Sequence, residues 1–582
     1  MYRPFSTSTT TRCTVSAWAT ALLAAAVSAC DADADATPET GGTLFVDGTE
    51  RAGIVHRVEF GDDPALPQMA RNLGAGVIAE DLDGDGHIDL YFTNAAGTAS
   101  LWWNRGDGTF ERGDVAPLAP DGTWGVAAGA ADIDNDGDRD VLLVNRGPDR
   151  LLLNEGGRRF TDASDRLGGT LDGTGLGVQF GDLDGDGRLD LFVGGTSVGD
   201  AAIVLDDGDA SDDVFVQWGK APSHLLWAEP DGSYLDVTSR VGATGLPEGN
   251  AFNGAMLDLD ADGDLDLYVT QDTQGEVLNL LYRNDGAAED GFVTLTDVSA
   301  SCNCQSPQAA MGLGVLDIDA NGLPELYVSN LIYAWPNREA LLFNRGDLVF
   351  QDVTEATGAA SMDGWTSIPV PSAASARAVS WGITTLDVQN DTLEDLFVVY
   401  GELATDLAER PGSEPNPLFL AGQPDALIRA RGDGHFETLA DSGLEDRGRG
   451  QAAVAADFDG DGCEDVVVVN LDGPTRLYRA RCDSVGTWIA LDLQGTRSNR
   501  DAIGARVKIE AGGRTQWRYV HGCATSAHSC TPKRVHVGLG GAKRVDRVTI
   551  HWPAGGTQVV SNLDVNRRHA VIEATSRETP AR

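Results

Sequence analysis

The chain has 582 residues, too many for one ordinary domain, and its 43 Lys and Arg against 89 Asp and Glu give a net charge of −46. A charge of this sign argues against nucleic acid as a partner, because nucleic-acid binding needs a basic surface, and it favours cations or a polycationic partner. Hydrophobic residues make up 42% of the sequence, which is enough for a packed core and excludes a chain that is merely a disordered acidic tail.

The first 29 residues are predicted to be an export signal. Arg3 and Arg12 precede the apolar stretch 17–29, which is too short to span a bilayer comfortably. This stretch runs into "VSAC", which resembles a bacterial lipobox and predicts lipidation of Cys30. A simple small-residue cleavage site with an incidental cysteine is the alternative. Residues 30–42 are predicted to be a flexible acidic tether, and no later stretch is apolar enough for a transmembrane helix.

An acidic motif recurs along the chain. Its first copy lies in "EDLDGDGHIDLYFTN" (80–94), where four closely spaced aspartates would repel one another without a neutralising partner. The irregular spacing of the copies indicates one structural unit with loops of variable length. Seven copies begin at Asp81, Asp132, Asp182, Asp258, Asp317, Asp387 and Asp457.

Each copy is flanked by the same elements. Runs of small residues such as "GVAAGAADI" precede it, and β-rich runs such as "DVLLVN" follow it. A third run with an Asn- and Gly-rich turn, such as "SLWWNRGDGTF", and a fourth run, such as "VFQDVTE", complete the unit. These patterns predict four short antiparallel strands per repeat, which is the unit of a β-propeller blade.

The seventh repeat has no obvious fourth strand of its own. The missing sequence stands at the start of the chain, where "LFVDGTERAG" (44–53) matches "VFQDVTEATG" (349–358). We therefore predict an all-β fold, with a seven-bladed β-propeller over residues 43–485 whose N-terminal strand completes the last blade. Such closure removes the exposed strand edges that invite aggregation.

Five copies read D-x-D-x-D-G-x-x-D without interruption, and this pattern predicts calcium sites. Calcium takes six to eight oxygen ligands. Side chains at positions 1, 3, 5 and 9 and a carbonyl near position 7 supply them, and glycine at position 6 permits the turn. We predict about five to six Ca²⁺ ions. The predicted metal ligands are Asp81, Asp83, Asp85, His87, Asp89, Asp132, Asp134, Asp136, Asp138, Asp140, Asp182, Asp184, Asp186, Arg188, Asp190, Asp258, Asp260, Asp262, Asp264, Asp266, Asp317, Asp319, Asn321, Glu325, Asp457, Asp459, Asp461, Cys463 and Asp465.

Other interpretations of the motif fit less well. An EF-hand needs a glutamate at its twelfth position, where this chain has Phe92, and it needs flanking helices. Magnesium retains waters and demands an octahedron, so the density of carboxylates disfavours it. An acidic turn without metal remains the alternative. The fifth copy, with Asn321 and Glu325, is expected to bind weakly, and the sixth, with Gln389 and Thr392, is expected to be weak or empty.

Six of the eight cysteines lie outside the signal and the candidate lipidation site. Their proximity in sequence suggests three disulfides that an exported protein can form, Cys302–Cys304, Cys463–Cys482 and Cys523–Cys530. Other connectivities stay open, and buried free thiols are the alternative. The Cys302–Cys304 pairing is the least secure, because a disulfide between residues two apart closes a short, strained ring. No cysteine spacing matches a zinc site.

The charge reverses near residue 484. From there to the end, 15 Lys and Arg stand against 7 Asp and Glu, so this part carries +8 and the rest carries −54. Alternating runs such as "RVTIHW" with glycine turns predict a small β-domain over residues 486–575, and residues 576–582 are expected to form a tail. We expect the basic domain to dock on the acidic propeller and high salt to weaken that contact.

Two family resemblances follow from these residues. The D-x-D-G-D-G loops and "N-x-G-D-G-x-F" hairpins of residues 43–482 resemble the FG-GAP/VCBS repeats of integrin-α-like propellers, which implies calcium between the first two strands of a blade. "DAIGARVKIEAGG" and "VDRVTIHWPAGGTQVV" resemble the ASPIC/UnbV domain, so the chain is similar to bacterial exported relatives of cartilage acidic protein. Where that family has an aromatic "GYLSQ"-like segment, this chain has "HGCATSAHSCTPKR", which puts any ligand contact there in doubt.

Several other sequence signals are better explained by structure than by a separate function. RGD occurs at 105–107, 345–347 and 431–433, always at the hairpin turn, so turn formation is favoured over cell adhesion. His521, His528 and His536 are expected to be solvated or structural. Trp218, Trp365 and Trp381 lie in or next to the long insertions 196–224 and 361–382, where packing is favoured over sugar stacking. No catalytic residue and no organic cofactor site is predicted, because no hydrolase, P-loop or redox motif occurs.

Together these observations predict an exported, calcium-binding protein of the bacterial cell envelope, or a secreted one, that acts as a binding or adhesion scaffold. The expected partner is a protein or polysaccharide, with membrane contact only through the lipid. The alternative is a polysaccharide lyase or hydrolase with its site in the long insertions.

Overall fold

The computed structural model describes residues 43–59, 74–116, 118–119, 124–169, 171, 174–205, 214–272, 277–288, 291–305, 310–332, 339–360, 378–401, 422–482, 485–523 and 528–575. The predicted signal, Cys30, the tether, the C-terminal tail and most of the insertion 361–382 lie outside these residues. None of the helices in the described ranges is long and apolar enough to cross a membrane.

Seven four-stranded antiparallel units follow one another along the chain, and we number them as blades 1 to 7. The chain opens with β1 (Phe45–Asp47). Blade 1 contains β2 (Val77–Glu80), β3 (Asp89–Phe92), β4 (Ser100–Asn104) and β5 (Phe110–Arg112). Blade 2 contains β6 (Gly125–Ala131), β7 (Asp140–Asn145), β8 (Arg150–Asn154) and β9 (Phe160–Asp162). Blade 3 contains β10 (Thr174–Gly181), β11 (Asp190–Leu205), β12 (Val214–Gly219), β13 (His224–Ala228) and β14 (Tyr234–Asp236).

The remaining blades repeat this order. Blade 4 contains β15 (Ala251–Leu257), β16 (Asp266–Gln271), β17 (Leu280–Ala287) and β18 (Val293–Asp297). Blade 5 contains β19 (Ala310–Leu316), β20 (Glu325–Ile332), β21 (Ala340–Asn344) and β22 (Phe350–Asp352). Blade 6 contains β23 (Ala378–Leu386), β24 (Asp395–Tyr400), β25 (Ala426–Ala430) and β26 (Phe436–Leu439). Blade 7 contains β27 (Gly450–Ala456), β28 (Asp465–Asn470) and β29 (Arg476–Ala480), with β1 as its fourth strand. Short helical turns lie at Thr49–Ala52, Ser164–Leu167, Thr238–Arg240 and Thr354–Thr357.

The blades form a closed ring. The first strands β2, β6, β10, β15, β19, β23 and β27 contact one another in this order, and β27 contacts β2 again. β1 pairs antiparallel with β29, with Phe45 opposite Ala480 and Asp47 opposite Tyr478. The predicted seven-bladed propeller, closed by its N-terminal strand, is therefore confirmed.

The composition of each strand follows from its distance to the axis of the ring. First strands crowd together, so small residues dominate them: a Cβ on Gly129 would lie 2.8 Å from the Phe180 ring of the next blade. The middle strands are covered on both faces by neighbouring blades, and β7 is buried along its whole length. Outer strands such as β5 expose two of their three residues.

Two blades carry additions that the sequence did not predict. Part of the insertion 196–224, expected to be a long loop, extends blade 3 as a ribbon in which β11 pairs with β12. β20 of blade 5 also pairs with β23 of blade 6, through Leu331 opposite Val379, so these two blades share one continuous sheet.

The C-terminal domain contains two sheets. Its strands are β30 (Thr487–Gln494), β31 (Arg506–Ala511), β32 (Arg514–Tyr519), β33 (Ser529–Cys530), β34 (Val535–Gly540), β35 (Val545–His551), β36 (Thr557–Leu563) and β37 (Arg567–Ile572). One sheet has the order β34-β30-β37 and the other has the order β32-β31-β35-β36. Their buried side chains are continuous with the core of blades 1 to 3, and the described residues from Thr43 onward cluster as one compact unit.

β33 leaves the C-terminal domain and enters the ring of first strands. It pairs in parallel with β2, it contacts β6 and β27, and the Val77 amide donates to the His528 carbonyl at 3.1 Å. The amide of Phe180, in the first strand of blade 3, donates to the carbonyl of Gly522 at 3.3 Å. We call the described residues 521–523 and 528–534, which lie within the ring of first strands, the plug. The three predicted disulfides are present, and one of them, Cys523–Cys530, lies in the plug.

Candidate calcium loops

The acidic motifs form the loops that connect the first and second strands of each blade. In the first loop, carboxylate oxygens of Asp81, Asp83 and Asp85 lie within 4.8 Å of one another. The amides of Gly84 and Gly86 each donate to Asp81 at 2.9 Å, which folds the loop around this carboxylate. Positive φ angles of 77° and 93° explain why glycine stands at both positions. The same three positions converge in the second, third and fourth loops.

The donor set of these loops fits a divalent cation. Asp132 and Asp258, at position 1, are buried, and Oδ1 of each has no hydrogen-bond partner among the described residues. Burial, with Asp501 nearby, raises the pKa of Asp132 to about 7. A Ca²⁺ ion in these loops would supply the positive charge that such oxygens lack, and oxygen ligands of this kind are the ones calcium prefers.

Position 9 has a role that the sequence did not reveal. Asp140 is fully buried, and its two oxygens accept hydrogen bonds from the amides of Ile133 at 2.8 Å and Asn154 at 2.7 Å. Asp89 makes the same pair of contacts with Leu82 and Asn104. Burial raises the pKa of both carboxyl groups to about 8. Position 9 therefore ties the loop to the third strand whether or not a cation is bound.

The residues predicted to offer carbonyls at position 7 lie next to position 5. The amide of His87 donates to Asp85 at 2.9 Å, and the amide of Arg188 donates to Asp186 at 2.9 Å. The amides of Asp138, Asp264 and Cys463 make the equivalent bond at 3.0 Å. Each position-7 residue therefore lies beside the position-5 carboxylate, at the edge of the cluster of carboxylates in its loop.

The fifth and sixth loops differ from the intact loops, and their sequences predict this difference. In the fifth, Oδ1 of Asp317 and Oε1 of Glu325 have no partner among the described residues, so the capacity for a cation persists. In the sixth, both oxygens of Asp387 accept backbone amides, at 2.9 Å from Asp391 and 2.8 Å from Thr392. Thr392 has a φ of 88° where intact loops have glycine, a strained angle for a β-branched residue.

The seventh loop has an intact motif but a different charge balance. The Arg479 guanidinium, from the third strand of the blade, lies 2.7 Å from Asp459 and also contacts Asp465, at positions 3 and 9. A cation of the protein thus already neutralises two carboxylates that were predicted to hold calcium. These contacts of Arg479 could not be predicted from the sequence, because an arginine in the third strand is not part of the acidic motif. The prediction of a calcium ion here stands, with a lower expected affinity than in the second loop.

Cations also reach other loops. Arg158 of blade 2 lies 2.7 Å from Asp83 in the first loop, Arg188 contacts Asp186 in the third, and Arg506 of the C-terminal domain lies 2.8 Å from Asp258 in the fourth. In the described part of the second loop, no carboxylate lies within ion-pair distance of a Lys or Arg.

The asparagine of the hairpin sequence joins neighbouring blades. Asn154 of blade 2 donates from Nδ2 to the carbonyls of Leu82 in the first loop, at 2.8 Å, and of Arg139 in its own loop, at 3.0 Å. The same double contact is made by Asn104, Asn284 and Asn344. The first, third, fourth and seventh loops are thereby hydrogen-bonded to the blade that follows each of them around the ring.

The C-terminal domain covers the face of the propeller that carries these loops. Arg534 donates to the carbonyl of Gly86 in the first loop at 2.9 Å, as does Arg568 at 2.6 Å. The amide of Arg500 donates to Asn135 in the second loop at 2.7 Å. Arg506 donates to the carbonyl of Gly322 in the fifth loop at 2.9 Å. The basic domain therefore docks on the acidic loops, as its charge predicts.

The remaining sequence signals have structural explanations within the described residues. The three RGD sequences follow β4, β21 and β25 and form the hairpin turns to the outer strands. Trp381 is fully buried, and its indole donates to the carbonyl of Gly401 at 2.7 Å, so it packs rather than presenting a sugar platform. Trp365 and the side chain of Trp218 lie outside the described residues. Burial lowers the pKa values of His521 and His528 to about 4 and that of His536 to about 3, so these rings are neutral at pH 7.

Comparisons with known proteins agree with this architecture. The FG-GAP-like repeat model matches residues 81–143, 132–193 and 258–328, and the ASPIC and UnbV model matches residues 495–578. The chain combines FG-GAP-like repeats with an ASPIC and UnbV domain and is homologous to cartilage acidic protein 1. The Homo sapiens protein is 24% identical over 474 residues, which are 77% of this chain and 62% of the human protein. The Mus musculus protein is 24% identical over 527 residues, 77% of this chain and 73% of the mouse protein. The chain thus spans less than two thirds of the length of the human relative.

Two solved structures align with parts of this chain at low similarity. An Agrocybe aegerita lectin, described by its specific recognition of non-reducing terminal N-acetylglucosamine, aligns over 69% of this chain and 87% of its own with 17% identity and a TM-score of 0.35. BBS1N, solved in complex with ARL6DN, aligns over 76% of this chain and 99% of its own with 9% identity and a TM-score of 0.39. The assignment of the fold rests on the sheet topology and the repeat matches.

Proposed function

We propose that this protein is an exported, calcium-stabilised scaffold of the bacterial cell envelope that binds a protein or polysaccharide. The observation that supports calcium most strongly is the buried, unpartnered carboxylate oxygen of Asp132 inside a group of three converging aspartates. FG-GAP-like repeats favour a binding scaffold. The charged N-terminal segment and the lipobox-like "VSAC" favour export and lipidation of Cys30.

The position of the C-terminal domain decides which surfaces are free for a large ligand. The loop face is covered by this domain, and the plug occupies the channel. A protein or polysaccharide is therefore expected on the outer strands, on the opposite face or on the outward side of the C-terminal domain. Propeller proteins that bind in an open channel on the loop face would differ in this respect.

A glycan and extracellular-protein array tests this function. We expect binding in millimolar calcium and weaker binding in chelator, because the scaffold is less stable without the ion. Analysis of the products formed from any glycan hit tests the alternative of a lyase or hydrolase: an unaltered glycan supports the scaffold, and shortened or unsaturated products would favour an enzyme. The variant Asp134→Asn should weaken calcium-dependent binding, and Asp114→Asn, an exposed position outside the loops, is the control.

A further inference from the structure

The fifth loop differs from the intact motif at two positions, with Asn321 at position 5 and Glu325 at position 9. Glu325 is fully buried, and its Oε2 accepts the amide of Ile318 at 2.8 Å. Its Oε1 has no hydrogen-bond partner among the described residues, whereas the equivalent oxygen of Asp140 in the second loop accepts an amide of the third strand. The fifth loop therefore contains a buried carboxylate oxygen that the surrounding fold does not satisfy.

Position 1 of the same loop has a second oxygen of this kind. Asp317 accepts the amide of Gly322 through Oδ2 at 3.2 Å, and its Oδ1 is buried without a partner among the described residues. Burial, with Asp319 nearby, raises the pKa of Asp317 to about 7. Within the part of the chain that the structure describes, no Lys or Arg makes an ion pair with Asp317, Asp319 or Glu325. Two unsatisfied carboxylate oxygens in one loop indicate that a cation or a water molecule belongs between them.

Strand β32 of the C-terminal domain lies directly against this loop. A Cβ on Gly322 would lie 2.8 Å from the ring of Trp517. The next residue, Arg518, lies 3.2 Å from Glu394, and Glu394 in turn accepts the amide of Asp317 at 3.2 Å. These contacts fix the end of β32 beside position 1 of the fifth loop.

Tyr519, the last residue of β32, brings a third unsatisfied oxygen to the same place. Its side chain packs against the hydrophobic cluster that contains Val315 and Leu326 of blade 5. Its hydroxyl is buried and has no hydrogen-bond partner among the described residues. Burial raises the pKa of this hydroxyl, and the nearby charges of Asp317 and Glu325 raise it further, so the group is protonated at neutral pH.

From these contacts we propose that the fifth loop and Tyr519 form one calcium site that is shared between the propeller and the C-terminal domain. Asp317, Asp319, Asn321 and Glu325 supply the ligands of the motif, and the Tyr519 hydroxyl adds a neutral oxygen, comparable to the waters that calcium accepts. The inference rests on the proposed calcium-stabilised fold and extends it. An ion held by both domains couples occupancy of this loop to docking of the C-terminal domain.

The test compares the full chain with the variant Tyr519→Phe, which removes only the hydroxyl. Crystals of both are equilibrated at one non-saturating calcium concentration, and the anomalous peak at the fifth loop is divided by the peak at the second loop of the same crystal. We expect the variant to have a lower ratio, corresponding to about tenfold weaker calcium binding at the fifth loop. The matched control is Tyr327→Phe, which removes a hydroxyl of the same blade that donates to the carbonyl of Ala359 at 2.9 Å. It should leave the ratio unchanged.

Melting temperatures provide a second readout, in which the effect of Tyr519→Phe changes sign. In chelator the variant loses a buried hydroxyl that has no partner, so its melting temperature should rise. In saturating calcium it loses an oxygen of the site, so its melting temperature should fall below that of the unmodified protein. Tyr327→Phe should lower the melting temperature in both buffers, because the carbonyl of Ala359 loses its donor.

Three results would overturn the proposal. The first is an unchanged peak ratio in Tyr519→Phe, and the second is a shift of its melting temperature that is equal in both buffers. The third is an empty fifth loop at saturating calcium in a crystal whose second loop is occupied, in which case a bridging water accounts for the three oxygens. Calcium missing from every loop would instead contradict the proposed function itself.

Discussion

The second and seventh loops carry the same uninterrupted motif, but the negative charge of their aspartates is balanced in different ways. In the second loop, Asp132, Asp134 and Asp136 converge, and an oxygen of Asp132 is buried without a partner. In the seventh, Arg479 brings a guanidinium to Asp459 and Asp465. In these two loops the same motif supplies the same candidate ligands, whereas the presence of a neighbouring arginine changes how much they are expected to need an external cation. The second loop should therefore depend on calcium more than the seventh.

Removal of calcium should have the largest effect. Each site held at a hundred times its dissociation constant contributes about 2.7 kcal/mol, so four occupied loops contribute on the order of 10 kcal/mol. Calorimetry should show a distinctly lower melting temperature in EDTA than in millimolar calcium, with recovery when calcium is restored. Magnesium at equal concentration is the control and should recover less. A melting curve indifferent to EDTA contradicts the calcium assignment.

Arg479→Met should affect the seventh loop in opposite ways with and without calcium. Without calcium, it leaves two buried or partly buried carboxylates unpaired, and we expect a loss of about 3–5 kcal/mol in unfolding free energy. With calcium, the freed carboxylates should bind the ion more tightly and recover much of the loss. Arg476→Met, at an exposed ion pair of the same strand, is the control. Equal losses in both conditions would show that the loop does not bind calcium.

Asp140→Ala should destabilise the protein with and without calcium. The part-buried amide of Ile133 and the buried amide of Asn154 lose their acceptor, at a cost of about 1–3 kcal/mol each. Asp134→Asn, at position 3 of the same loop, should lower the melting temperature in calcium only. Denaturant titrations of both variants in each buffer measure this. If Asp140→Ala were harmless in chelator, position 9 would be a ligand without the structural role assigned here.

The dependence of stability on pH should change sign with calcium. Burial raises the pKa values of Asp132 and Asp182 to about 7 and those of Asp140 and Asp266 to about 8 in the folded state without metal. Protonation then favours the fold, so stability in chelator should be greatest below pH 4 for these groups and fall as the pH rises towards 8. In calcium, protons compete with the ion, so lowering the pH from 8 to 5 should lower the melting temperature. Parallel profiles in the two buffers would contradict this.

The parts of the structure that repeat could be predicted from the sequence, and the parts that occur once could not. Seven copies of one motif and the match of 44–53 to 349–358 fixed the number of blades and the pairing of β1 with β29, because each signal is local. The plug lies more than 400 residues from its partner β2, and two residues of β33 carry no readable pattern. Local cysteine spacing did indicate Cys523–Cys530.

The candidate sites show the same division. Spacing alone identified the aspartates that converge at positions 1, 3 and 5. It could not separate a ligand from a structural acceptor at position 9, because aspartate serves both purposes.

The most direct test is anomalous diffraction from crystals equilibrated with millimolar calcium. We expect strong peaks among the carboxylates of the first four loops, weaker peaks at the fifth and seventh, and none at Asp387 in the sixth. An empty second loop at saturating calcium, with Asp132 still unpaired, would contradict the claim that these aspartates are held together by a divalent cation.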